Sequence, residues 1–90
     1  MTVLVDPPRW PAHGRLWSHL VSDTSYAELH AFAAQLEIPE RAFDRDHYDI
    51  PQERYDAVVA AGAEPVEGKE LIRRLLGSGL RRRKRDVARS

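Results

Sequence analysis

The run Thr2-Val3-Leu4-Val5, closed by Asp6 and by Pro7 and Pro8, restricts the fold more than any other stretch. Apolar and β-branched residues without polar alternation read as a strand covered on both faces, and the two prolines stop it. Such a strand belongs at the centre of a small parallel or mixed sheet with helices packed on it. Asp6 then stands at the carboxyl end of the strand, where α/β sheets collect ligand groups, or else caps the turn into the prolines.

The following elements agree with that class. Residues 6–14 hold three prolines and a glycine and read as a loop, with Trp10 either plugging the core or offering a stacking surface. A second strand is expected at about 15–21. Ser25 with Glu28 three residues on fits a capping box, and Leu29, Phe32, Ala33 and Leu36 recur at i, i+3, i+4 and i+7, so a helix is expected over about 26–36. Asp44 to Asp49 read as a loop. Asp49, Ile50 and Pro51 supply a cap and a first-turn proline for a helix over about 51–61 that Gly62 ends. Residues 63–66 suit a short strand that returns to the sheet, and Leu71, Ile72, Leu75 and Leu76 give a third helix over about 68–76. The expected fold is α/β: two or three layers, a short, mostly parallel sheet of about three strands, about three helices and a basic C-terminal tail.

A chain of 90 residues allows one core, placed here in residues 1–80, with 81–90 as a separate tail. The formal net charge of zero conceals a division: residues 1–80 carry eight Lys/Arg against thirteen Asp/Glu, and residues 81–90 carry six basic residues and one acidic. Arg81, Arg82, Arg83, Lys84 and Arg85 form an arm suited to nucleic acid or another polyanion, or to the acidic body itself. The absence of cysteine excludes disulfides, thiolate metal sites and a cysteine nucleophile. No basic segment followed by an apolar run opens the chain, and no stretch of ~18 apolar residues occurs, so a cytoplasmic protein without membrane contact is expected. A small sheet with an open edge also suits pairing into a homodimer.

All four histidines, His13, His19, His30 and His47, fall between residues 13 and 49, among several carboxylates. No dinucleotide, phosphate-loop, zinc-protease or zinc-finger spacing is present, so candidates rest on residue type and placement. One group is Asp46, His47 and Asp49, able to hold a cation or else to cap and solvate locally. The other is His19 with Asp23, which Asp6 joins if the first two strands run parallel. The candidate metal ligands are therefore Asp6, His19, Asp23, Asp46 and His47, with Mg, Mn or Zn as the ion. His19, His47 and Asp23 are the candidate catalytic groups. His13 suits exposure and His30 a helix flank. Ser18 and His19 are adjacent in a strand and point to opposite faces, so they do not make a nucleophile and its base.

Four runs carry a resemblance: Trp10-Pro11-Ala12-His13-Gly14, Leu16 to Asp23, Glu28 to Ala33, and Asp46-His47-Tyr48-Asp49. In this order they resemble a small bacterial family, domain of unknown function 4031, over about residues 2–80. The resemblance implies a compact, stand-alone, cytosolic bacterial domain and implies no reaction or cofactor. Two functions stay open. One is a small metal-dependent hydrolase or metal-binding protein acting on a phosphate-containing substrate, nucleic acid included. The other is a non-enzymatic module that binds nucleic acid or protein.

Overall fold

The first strand, β1 (Val3–Val5), sends its side chains to two cores, as its unbroken apolar character requires. Val3 and Val5 pack with Leu20, Leu29, Tyr48, Ile50 and Val58, whereas Leu4 packs on the other face with Val21, Leu71 and Leu75. The computed structural model describes residues 2–80, and the basic run Arg81 to Arg85 lies outside the described residues.

Strand β3 (Arg15–Ser22) runs antiparallel to β1, with Leu4 opposite Val21, and β6 (Glu64–Pro65) runs parallel to β1 on its other side. Beyond β3 lie β5 (His47–Pro51) and then β4 (Phe43–Asp44), both antiparallel to their neighbours, and β2 (Trp10–Ala12) forms a hairpin with the start of β3. The α/β class holds, but the sheet has six strands and is mostly antiparallel rather than short and mostly parallel. An unbroken apolar run reports that both faces are covered; it does not report direction. Residues 6–14 are too few for the crossover helix that a parallel return needs, and they contain β2, so β3 comes back antiparallel.

Two stretches expected to be loops are hairpins. In the turn between β2 and β3, His13 and Gly14 have φ of 53° and 76°, the paired positive values of a two-residue turn whose twist matches the strands. In β5, His47, Tyr48, Asp49 and Ile50 alternate, so Tyr48 and Ile50 are buried in the larger core while His47 and Asp49 face the other way. Pro51 therefore ends a strand instead of opening a helix.

Helix α1 (Tyr26–Gln35) starts at the expected cap: Ser25 Oγ accepts from the Glu28 backbone N–H at 3.0 Å. The rest of the box is rerouted, because Glu28 accepts from Ser22 Oγ at 2.6 Å and Ser22 Oγ in turn accepts from the Ser25 N–H at 3.1 Å. Ser25→Ala is expected to cost about 1 kcal/mol, read as a lower midpoint in urea with an unchanged slope. Helix α2 (Tyr55–Ala60) is shorter than expected and follows a tight turn over Gln52–Arg54; with α1 it covers one face of the sheet through Val58. Helix α3 (Gly68–Ser78) covers the other through Leu71 and Leu75, and Gly79 closes it at φ 82°. Among the described residues no helix is long and apolar enough to cross a membrane.

Candidate metal centre

The sheet face that carries α3 also carries a line of imidazoles and carboxylates, and strand periodicity puts them there. His19 lies two residues from Val21, Asp6 two residues from Leu4, and Asp49 is the cross-strand partner of His19. His47 precedes Asp49 by two and shares its face. Antiparallel pairing of β1 with β3 sets Asp6 beside His19: the Asp6 N–H donates to the His19 carbonyl at 3.2 Å, and the His19 N–H donates to Asp6 Oδ1 at 2.6 Å.

Each of the two histidines is held from behind by a carboxylate. His19 Nδ1 lies 2.9 Å from Asp6 Oδ2, and His47 Nδ1 lies 2.8 Å from Asp46 Oδ1. Both acids are buried, so these contacts are shielded from water. With the ring proton at Nδ1, toward the carboxylate, Nε2 is left as a lone-pair donor, the arrangement found behind metal-ligating histidines. Trp10 adds a lateral stop, stacked on His19 at 4.6 Å between ring centroids and 15° between planes.

In front of the rings the groups converge. The His19 and His47 ring centroids are 5.1 Å apart, and one donor atom from each of His19, His47 and Asp49 lies within 4.8 Å of the other two. Asp49 Oδ1 is 3.1 Å from His47 Nε2, yet it is shut off from solvent and without a hydrogen-bond partner. With the His47 proton on Nδ1, two acceptors face each other there, and a buried carboxylate oxygen without a partner is costly. A divalent cation held between them resolves this. The 3.1 Å separation suits neighbouring ligands of one ion, whose tetrahedral edge is about 3.4 Å for bonds of ~2.1 Å, and the span to His19 is wider but stays within 4.8 Å.

The other sequence candidates are placed differently. Asp6 and Asp46 stand behind the imidazoles as their positioning partners instead of facing the common space. Asp23 lies past the far end of β3, about 13 Å along the strand from His19. Its carboxylate takes Arg74 at 2.8 Å, Thr24 Oγ1 at 3.0 Å and the Thr2 N–H at 3.1 Å, so it does not join the cluster. Only parallel strands would have gathered Asp6, His19 and Asp23 at one edge. Asp49, expected either to hold a cation with Asp46 and His47 or to cap a helix, lies in β5 and joins the cluster; the signal for that place is its two-residue spacing from His47. His30 is on the opposite face, with Nδ1 2.6 Å from the Tyr48 hydroxyl, whose acidity burial lowers, with Glu40 adding to the effect. His13 is exposed in its turn.

Asp23 instead gives the chain an acid-sensitive tie. Burial raises its pKa, but the bonds from Arg74, Thr24 and Thr2 together outweigh burial and leave it below the ordinary 3.8. A depressed carboxylate contributes stability above its unfolded pKa and loses it as pH falls through the folded one. Asp23→Asn is therefore expected to lower stability by about 1 kcal/mol at pH 7, and the difference from the native chain should shrink below about pH 4 in thermal melts.

Beside the cluster runs a groove of about 640 Å³ whose walls include Trp10, Trp17, Pro51 and Asp49, together with Arg41 and Arg54. Trp10 and Asp49 belong to both groove and cluster.

These features define a small mixed-sheet α/β domain with a histidine–carboxylate cluster on one sheet face. The chain belongs to the family described as Protein of unknown function (DUF4031), whose model matches residues 3–78. No curated protein and no solved structure matches it.

Proposed function

We propose that this protein binds one divalent transition-metal ion through His19, His47 and Asp49 and uses it to hydrolyse a phosphate ester. Asp49 Oδ1 carries this proposal, being buried, without a hydrogen-bond partner and next to two imidazoles whose Nδ1 atoms are already committed. Two nitrogen donors and one oxygen donor favour zinc over magnesium, which prefers an all-oxygen shell. Three protein ligands are the number found in catalytic zinc sites, where the ion polarises a bound oxygen and makes water acidic near neutral pH. His19 is about a third exposed, so the cluster is open to solvent and substrate on that side. Asp6 and Asp46 keep the imidazoles in one orientation and tautomer. Arg41 and Arg54, on the walls of the adjoining groove, add positive charge that favours the approach of an anionic substrate.

Calorimetric titration of the full chain with zinc and with manganese tests the first half, the expected result being one ion per chain, lost in His47→Ala. Assays of the loaded chain on p-nitrophenyl phosphate and bis-p-nitrophenyl phosphate test the second. Absence of binding overturns the metal centre, and binding without hydrolysis returns the domain to a non-enzymatic module.

A further inference from the structure

The groove beside the cluster has the dimensions and walls of a base-binding site, and we propose that the substrate is a nucleoside monophosphate, its phosphate at the histidine–aspartate cluster and its base in the groove. This rests on the cluster being a metal centre. About 640 Å³ falls within the range of small-molecule sites and far exceeds what a phosphate alone fills.

Strand register builds the groove next to the cluster. Trp17 pairs with Trp10 on one side and with Pro51 on the other, giving an apolar row of three residues across three strands. His19 paired with Asp49 forms the next row on the same face. Two residues along a strand separate the rows by about 7 Å, a gap that a sugar spans between a phosphate and a stacked ring. Indole walls favour a planar aromatic occupant over an aliphatic one. Arg15 has its guanidinium carbon 5.9 Å from the Trp17 ring centroid and is itself tied to Glu53 at 2.6 Å. Glu37 and Arg41 on the groove wall provide an acceptor and a donor for the polar edge of a heterocycle, which a plain phenyl ring lacks.

Residues 1–80 carry thirteen acidic side chains against eight basic ones, so the body that holds the groove favours one phosphate at a cation over a polyanion, and the opposite net charge of the chain is confined to Arg81 to Arg85 and the residues that follow.

The chain contains two tryptophans, and both line this groove, so intrinsic fluorescence reports its occupancy directly. Zinc affinity of the full chain is measured first, by calorimetry with zinc alone. The zinc-loaded chain is then titrated with adenosine 5′-monophosphate, ribose 5-phosphate and inorganic phosphate. The expected result is quenching by the nucleotide and an affinity at least tenfold above that of ribose 5-phosphate, the effect of one stacked base. Trp17→Ala should bring the two ligands to equal affinity, and the comparison on the native chain stands whether or not that variant folds. Equal affinities on a chain that binds zinc overturn the base site and leave the metal centre intact. A chain that binds no zinc overturns both.

Discussion

Asp49→Asn is expected to push the protein in two opposite directions: zinc affinity falls by at least about 100-fold, while the metal-free chain becomes more stable by about 1 kcal/mol. The loss follows from removing the anionic donor among three. The gain follows from the geometry of the metal-free chain, in which Asp49 Oδ1 stands 3.1 Å from His47 Nε2 without a hydrogen bond. An amide of the same shape turns its NH₂ toward that lone pair and converts an acceptor facing an acceptor into a donor facing an acceptor. Thermal melts with and without zinc read both effects. The native chain should gain about 2.7 kcal/mol at a free zinc concentration a hundred times its Kd, and the variant should start higher and gain almost nothing. A variant that melts lower without metal and keeps its zinc response would show that the carboxylate serves the fold and not an ion. His47→Ala complements it, removing zinc binding without the compensating gain.

How much of this was legible from sequence depended on whether a residue's position follows from local periodicity or from strand direction. Helix α1 was visible because Ser25 and Glu28 mark its start and Leu29, Phe32 and Ala33 its inner stripe, and α3 because Leu71 and Leu75 recur at helical spacing. Strand β1 was visible as a run, but the same residues suit a strand in either direction, so the parallel sheet did not follow from them. That one choice moved Asp23 from the expected cluster to the far end of β3, where it pairs with Arg74. Strands β2 and β5 were obscured by Pro11 and Pro51, residues that read as turns and that a sheet accepts at strand ends and edges. His19 and His47 were singled out as donors, and their proximity comes from β3 and β5 being neighbours. No local pattern encodes that pairing. The roles of Asp6 and Asp46 as supports were equally hidden, since ligand and support are the same residue types and differ only in which side of an imidazole they approach.

Leu4→Ala is expected to cost 2–5 kcal/mol, a large fraction of the 5–15 kcal/mol typical of a whole domain. Leu4 is fully buried and forms, with Val21, Leu71 and Leu75, the smaller of the two cores. Relaxation around the lost side chain is hindered on the sheet side, because β1 is fixed by hydrogen bonds to β3 and to β6 and because Val3 and Val5 are committed to the opposite core. Helix α3 is the element free to move inward, so the cost rises toward the upper end if it stays in place. The site feels the change as well: Asp6 follows Leu4 by two residues on the same face and holds both the backbone and the ring of His19. A shift of β1 therefore loosens an imidazole, and zinc affinity should drop several-fold in a variant that remains folded, whereas Leu29→Ala on the opposite face should destabilise comparably and leave zinc affinity near native. Urea unfolding followed by circular dichroism gives the first quantity and calorimetry the second. A Leu4→Ala cost below 1 kcal/mol would mean that α3 does not pack on β1, and the α3 face of the sheet, with the cluster beside it, would have to be redrawn.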